Sequence, residues 1–469
     1  MRNKKRLIAT LSIIAIIMAG VFVAVSGHQY WSRPQRVFIV IIDTLPASRT
    51  GCYGHHRNTT PNLDALAESG VRFENALSTA PWTMPAIAGI LTGTYPHVHQ
   101  AGWRLNPRTE TDKINFAVMK NSVPTMAGSF KELGYNTVGF FNNPFVSPTF
   151  QLDLGFDKYD FQPGNNLNIR RANRVVAEAK QWMLTHKDTK VFMVLHFFDP
   201  HLCYDPLPKD KDRFSGDYKG TISGPFCAPR LPEMRYGDTV PQAPDRERIK
   251  ELYDAEVVAA DRELGRFIYW LKQKGLYDGS LIVVTADHGE EFWEHGGFEH
   301  GHTLYNELLH VPLIIKFPKR AFFEVSPGVV KGHVSTADIF PTVASYMKMD
   351  PPAVEGKSLY DGWGRIKNRD GDIVAMNLLW GKEDKFAFYS DGIKVIVNRK
   401  SGEVEAYDLT ADPEELVNIY TAKGLEASLE RRIKEHVRAM EDSIAGSAPQ
   451  RGDVKPATLR MLKSLGYLE

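Results

Sequence analysis

The sequence predicts an α/β fold built on a mostly parallel central sheet, followed by a small C-terminal antiparallel sheet-and-helix subdomain. Three observations carry this prediction. The uninterrupted apolar run VFIVII at Val37–Ile42 reads as a strand buried on both faces, the pattern of parallel sheets. Strand-like runs then alternate with helix-like patterns as far as Thr285. From about Asp350 the pattern changes to short alternating strands that precede a single helix.

The elements follow in order. After the first strand come a helix at Asn62–Gly70, with Asn62 as its cap, and a small-residue helix at Pro85–Thr92. A helix at Val123–Leu133 stops at Gly134 and leads into a strand at Thr137–Phe141. Arg171–Leu184 reads as helix, Val191–Phe197 as strand, Arg246–Lys274 as a long helix and Leu281–Thr285 as strand. Between Cys203 and Pro244 the chain is rich in Pro, Gly and charge, which reads as a long loop at the rim of a site. Lys385–Tyr389, Ile393–Asn398 and Val404–Asp408 are the short strands, and Leu425–Met440 the closing helix. The predicted organisation is an N-terminal segment at 1–27, a catalytic domain at 36–349, a subdomain at 350–445 and a tail at 446–469.

The N-terminal segment stands apart. Arg2, Lys4, Lys5 and Arg6 precede an uncharged apolar stretch from Leu7 to Val25, long enough to span a bilayer as a helix. It reads as a membrane anchor, or as a signal peptide cut near Ala24-Val25-Ser26, and either puts the catalytic part outside the cytoplasm, in the periplasm or at the cell surface. A formal net charge of +1 gives no basic footprint and argues against nucleic acid as a partner. Of three cysteines, Cys203 and Cys227 flank the rim loop, where a disulfide and two free buried thiols both fit, and Cys52 is left over.

Ligands of such sheets gather at the carboxyl ends of strands, and there the chemistry-bearing residues fall. Asp43 follows the first strand, and Asp287 and His288 follow Leu281–Thr285. Two carboxylates and an imidazole at one sheet edge suit a divalent cation, although a loop hydrogen bond explains any one of them alone. Thr83 precedes a helix, where it is either a cap or a hydroxyl placed beside that cation.

Six segments together resemble the sulfatase branch of the alkaline-phosphatase superfamily. They are VFIVIIDTLPASRTGCYG from Val37, TTPNLDALAESGVRFENA from Thr59, and TMPAIAGILTG from Thr83 leading into TYPHVH. HFFDPHLCYDP from His196, TADHGEEFWEHGGFEHGHTLYNELLHVPLII from Thr285 and EAYDLTADPEELVNI near the C-terminus complete the set, in family order. The resemblance implies an alkaline-phosphatase-like sandwich and one divalent metal at Asp43, Asp287, His288 and Thr83. Mixed oxygen and imidazole donors favour Mn²⁺ or Zn²⁺ over Ca²⁺. It also implies that His201 and His302 bind ester oxygens or protonate the leaving group, with His196, His295 and His300 as supporting or surface residues and His97 and His99 structural.

The departures from the family pattern matter as much. Sulfatases begin their signature with a Cys or Ser that becomes formylglycine, and follow it with an Arg. Here these positions are Thr83, whose β-carbon methyl forbids that aldehyde, and Ile87. The Lys and His that usually follow the next strand are absent from FFNNPFVS at Phe140. Nucleotide phosphodiesterases and phosphoethanolamine transferases of the superfamily use a threonine here as direct nucleophile. The expected activity is therefore a metal-dependent phosphoester hydrolase or phosphotransferase, with a lipid head group or envelope glycan as substrate. The alternatives are a sulfatase with a non-standard nucleophile, acting on sulfate esters, and an inactive glycan-binding relative.

Overall fold

The run Val37–Ile42 becomes the middle of a sheet in the computed structural model. It describes residues 33–103, 117–162, 169–187, 189–216, 218–319, 324–350, 353–377, 384–420, 425–446, 449–450 and 458. The predicted anchor at 1–27 and nearly all of the tail at 446–469 lie outside the described residues. Among the described residues no helix is long and apolar enough to cross a membrane.

Eight strands form the large sheet: β1 (Arg36–Ile42), β2 (Val71–Leu77), β3 (Asn136–Phe141), β4 (Lys158–Phe161), β5 (Val191–Phe197) and β6 (Ser280–Ala286). A short hairpin of β7 (Glu291–Phe292) and β8 (Phe298–Glu299) precedes the last two, β9 (His310–Lys316) and β10 (Gly328–Ser335). Their order is β10-β2-β9-β6-β1-β5-β3-β4, and only β9 runs against its neighbours. In β1, β5 and β6 every position except Arg36 is buried, as expected for central strands covered on both faces. The sequence reading did not include β2, β4, β9 or β10. Three of them, β2, β4 and β10, carry polar residues at half-buried or exposed positions and lack a continuous apolar run, while β9 is buried but carries Pro312, which argues against a central strand.

Register places the site. Ile42 lies opposite both Phe197 and Ala286, so β1, β5 and β6 end level, and Asp43 and Asp287 emerge side by side. The Asp43 amide prolongs the β5 pairing by donating to the Phe197 carbonyl at 2.9 Å. The helix Pro61–Glu68 has Thr60 rather than Asn62 in its cap position, with no capping bond from the Thr60 side chain. The Asn62 side chain instead donates to Asp261 at 2.7 Å, joining this helix to the long helix Ala243–Gln273.

The C-terminal subdomain is a four-stranded antiparallel meander of β11 (Ile373–Asn377), β12 (Lys385–Ser390), β13 (Ile393–Asn398) and β14 (Val404–Asp408). Its period of two works on both faces. Val374, Met376, Phe386 and Phe388 pack under Leu429, Ile433 and Met440 of the helix Ala427–Ala445. Ile373, Ala375, Ala387 and Tyr389 pack the other face onto Leu77, Leu304 and Leu309, beside the large sheet.

The rim segment contains a one-turn helix, Leu231–Arg235, and Cys203 and Cys227 are joined in a disulfide. Tyr204 and Phe226 exchange backbone hydrogen bonds of 2.9 and 3.0 Å beside it. Closing a loop across a sequence separation of 24 residues stabilises by about 3 kcal/mol in the chain-entropy account. Cys203→Ser together with Cys227→Ser is therefore expected to lower the urea midpoint measurably. A double variant with an unchanged midpoint would show that the rim is held by packing alone.

Candidate active site

Two buried carboxylates end adjacent strands. Asp43 and Asp287 are both fully buried. Asp43 Oδ2 accepts from Asn143 Nδ2 at 2.8 Å, and Asp287 Oδ1 accepts from the backbone amides of Thr44 (3.2 Å) and His288 (2.8 Å). Among the described residues the other oxygens, Asp43 Oδ1 and Asp287 Oδ2, have no hydrogen-bond partner, and neither does either ring nitrogen of the buried His196. Asp43, His196 and Asp287 present donor atoms within 4.8 Å of one another. Burial raises both carboxyl pKa values. For Asp43 this is outweighed by the imidazoles around it, His196 first, with Nε2 3.4 Å from Oδ2, then His201 and His288, which hold it well below the usual carboxylate range. Asp287, beside the ionised Asp43, is pushed well above it. Two buried carboxylates that cannot both ionise unaided, each with an orphan oxygen, fit a divalent cation.

His288 belongs to the same cluster. Its Nδ1 donates to the Gly289 carbonyl at 2.9 Å, leaving Nε2 as a lone pair 3.4 Å from Asp287 Oδ2 and 3.7 Å from Asp43 Oδ1. Burial, reinforced by the nearby His300, lowers its pKa to about 3, so the ring stays neutral and able to bind a metal. Glycine is required next: a Cβ on Gly289 would stand 1.9 Å from the Glu307 carbonyl oxygen.

Thr83 is the first residue of the helix Thr83–Thr92, with Trp82 in the cap position, so the hydroxyl does no capping. Its Oγ1 lies 3.4 Å from His288 Nε2 and accepts from Asn143 Nδ2 at 3.1 Å. Asn143 thus bridges the nucleophile candidate and Asp43, and the Phe145 amide, donating to Asn143 Oδ1 at 2.9 Å, fixes which way the amide faces. The backbone amides of this first turn, with the helix dipole behind them, favour an anion at the same place.

Histidines form a second layer. The rings of His288 and His300 are 4.4 Å apart, and those of His300 and His201 5.1 Å apart. His300 Nδ1 bonds Glu290 at 2.7 Å, and although burial alone would lower its pKa, Glu299 and Glu290 raise it, favouring an imidazolium. His201 is buried and bonds the Leu202 carbonyl through Nδ1 at 2.7 Å. His302 stands apart, with Nε2 on Glu291 at 2.7 Å and its ring against Tyr236. The structure thus brings Asp43, Asp287, His288 and Thr83 together and connects His201 through His300. His302 is held by Glu291 outside this chain of contacts. Sequence reasoning gave Asn143 no role and placed His196 and His300 only as supporting or surface residues. Strand position was the usable signal for two of them: His196 pairs with Ile41, two residues before Asp43, and Asn143 follows β3 next to β5. His97 pairs with Glu355 at 2.9 Å and His99 accepts from the Ala101 amide at 3.1 Å, both in a turn away from the cluster.

The loop that carries His300 is fastened by His295. Burial opposes its charge, but a 2.7 Å contact with Glu307 and the Glu415 carbonyl raise its pKa to about 9. A raised folded-state value stabilises fully below the unfolded value, near 6.5, and the stabilisation is lost as pH rises through 9. Stability is therefore expected to decline between these limits, and His295→Gln to flatten that decline in urea melts at several pH values.

The family model described as Sulfatase matches residues 35–349. An uncharacterized sulfatase of Escherichia coli strain K12 is 25% identical over 437 residues, covering 82% of this chain and 83% of its own length. The N-acetylglucosamine-6-O-sulfatase of Bacteroides thetaiotaomicron is 23% identical, covering 88% of this chain and 86% of its own length. Among solved structures, the phosphonate monoester hydrolase of Agrobacterium radiobacter superposes with a TM-score of 0.68 at 19% identity, covering 88% of this chain and 96% of that one.

Proposed function

This chain belongs to the sulfatase family, and on that premise we propose that it is a metal-dependent phosphoester hydrolase or phosphotransferase whose nucleophile is Thr83. The observation that carries this reading is the Thr83 hydroxyl, placed between Asn143 Nδ2 and His288 Nε2 beside the Asp43–Asp287 pair. Asp43, Asp287, His288 and His196 would hold one divalent cation, which when bound lowers the pKa of a neighbouring hydroxyl and neutralises ester oxygens. Mn²⁺ or Zn²⁺ suits the mixed donors.

The residues divide the remaining work. Asn143 holds Oγ1 toward the phosphorus, and the first-turn amides with the His300 imidazolium receive the non-bridging oxygens. Oγ1, its proton given to solvent, forms a bond to phosphorus as the bond to the leaving oxygen breaks, and His201 supplies the proton that oxygen needs. Water or an acceptor hydroxyl, giving its proton to the His201 ring, then displaces Oγ1, which regains a proton from solvent as the phosphoryl group leaves. The basic–apolar N-terminal segment and the Cys203–Cys227 disulfide support an extracytoplasmic site, with a lipid head group or envelope glycan as substrate.

A second reading, hydrolysis of sulfate esters, is favoured by the matched sulfatases. Turnover of p-nitrophenyl phosphate, a phosphodiester, a phosphonate monoester and p-nitrophenyl sulfate by the Mn²⁺- or Zn²⁺-loaded protein separates the two. Phosphoester turnover that chelation abolishes and a phosphothreonine adduct by mass supports the proposal. Turnover of the sulfate ester alone replaces it with the second reading.

A further inference from the structure

Next to His201 lies a cavity of about 20 Å³ lined by Arg171, Asp199, His201, Asp205 and Glu256, with Cys203 at its wall. A water molecule needs about 10–15 Å³ by the same kind of measure, so the space admits one small polar group. Three carboxylates surround one guanidinium. Arg171 Nη1 is 3.4 Å from Asp199 Oδ1 and 3.3 Å from Glu256 Oε1, and its Nη2 is 3.5 Å from Asp205 Oδ2.

Most of these oxygens already have structural duties. Asp199 Oδ2 accepts from the Ala172 amide at 2.8 Å, and Glu256 Oε1 from the Asp205 amide at 3.2 Å. Glu256 Oε2 is the exception. Its side chain is 4% exposed and lines the cavity, and among the described residues this oxygen has no hydrogen-bond partner. Burial, with Asp199 nearby, pushes the Glu256 carboxyl well above the usual range, which is the condition of a site short of positive charge. A protonated Glu256 would leave the same atom without an acceptor, so neither protonation state satisfies it.

We infer that this cavity is a subsite for the ammonium group of an amine-bearing ester, with Glu256 Oε2 as its main acceptor. The inference rests on the ester-hydrolase reading, because the cavity shares His201 with the catalytic cluster and so borders the leaving or accepting half of the substrate. A metal dication fits less well. One orphan oxygen cannot complete its coordination, and Arg171 already sits on the other oxygens. An ammonium is the size of water, carries one charge and needs few acceptors.

The test compares phosphonates of equal shape, 2-aminoethyl against ethyl and 3-aminopropyl against propyl, by calorimetry on the Mn²⁺-loaded protein. The ammonium member of at least one pair is expected to bind about tenfold more tightly, the usual margin of a hydrogen bond to a charged group. Glu256→Gln should erase that preference while leaving p-nitrophenyl phosphate turnover unchanged. Equal binding within both pairs means that the cavity holds water only and overturns the subsite alone. A preference that survives in Glu256→Gln overturns the assignment of Glu256. If no phosphonate binds, the ester reading fails and takes this inference with it. The wild-type comparison decides by itself should the variant not fold.

Discussion

Thr83→Ala is expected to lower kcat on phosphoesters by at least about a thousandfold while the protein stays folded, because it removes the atom that bonds to phosphorus. The side chain is buried at the start of a helix that it does not cap, so the fold loses one methyl and one hydroxyl rather than a capping bond. Thr83→Ser keeps the hydroxyl and should retain far more activity, with a change in kcat rather than in KM. The two variants separate nucleophilic from packing roles, since serine makes nearly as large a packing defect as alanine but restores the oxygen. Steady-state rates, beside circular dichroism melts of all three proteins, give the answer. Turnover that persists in Thr83→Ala would move the search to another oxygen of the cluster and remove the basis for the mechanism.

The largest expected effect on stability lies away from the chemistry. Lys394 on β13 and Glu415 are both completely buried, with Nζ 2.5 Å from Oε1. Glu415 also receives the Asn306 amide at 2.6 Å, and its carbonyl bonds His295, although its φ of 58° is unfavourable for a residue with a Cβ. Lys394→Met leaves that carboxylate buried and unpaired, which costs about 3–5 kcal/mol. Adding Glu415→Gln should recover part of the loss, as expected when the penalty comes from the orphan charge rather than from a missing contact. Urea unfolding of the two single variants and the double variant measures this. Because Asn306 and His295 flank the loop that bears His300, Lys394→Met should also lower kcat.

Much of the site was legible in the sequence for a physical reason. A strand buried on both faces must be continuously apolar, so Val37–Ile42 and Leu281–Thr285 announced themselves, and the polar residues that end them stood out by contrast. His196 did not, because it sits inside β5 and interrupts an apolar run by one residue, which reads as a tolerated core histidine. Asn143 was missed because an amide carries no charge and has no distinctive spacing. Its role exists only once β3 lies beside β5. Glu256 and Lys394 were invisible for another reason: on a charged helix and a short strand, sequence alone cannot distinguish a buried charge from a solvated one.

The reversal of β9 has a consequence for how such a site can diversify. Strands β6 and β9 are hydrogen-bonded neighbours, with Thr285 opposite Leu313, so everything between them leaves and re-enters the sheet at one edge. Asp287, His288, His300 and His302 therefore ride on a single stapled excursion rather than on separate crossovers. Its stem is closed by the sheet itself, and lengthening a closed loop costs little, about 0.6 kcal/mol for each doubling. The segment behaves as an exchangeable cassette. Swapping residues of this segment for those of a relative should transplant selectivity provided that Leu304 and Leu309, which pack on the C-terminal sheet, and His295 and Asn306, which bond Glu415, are kept.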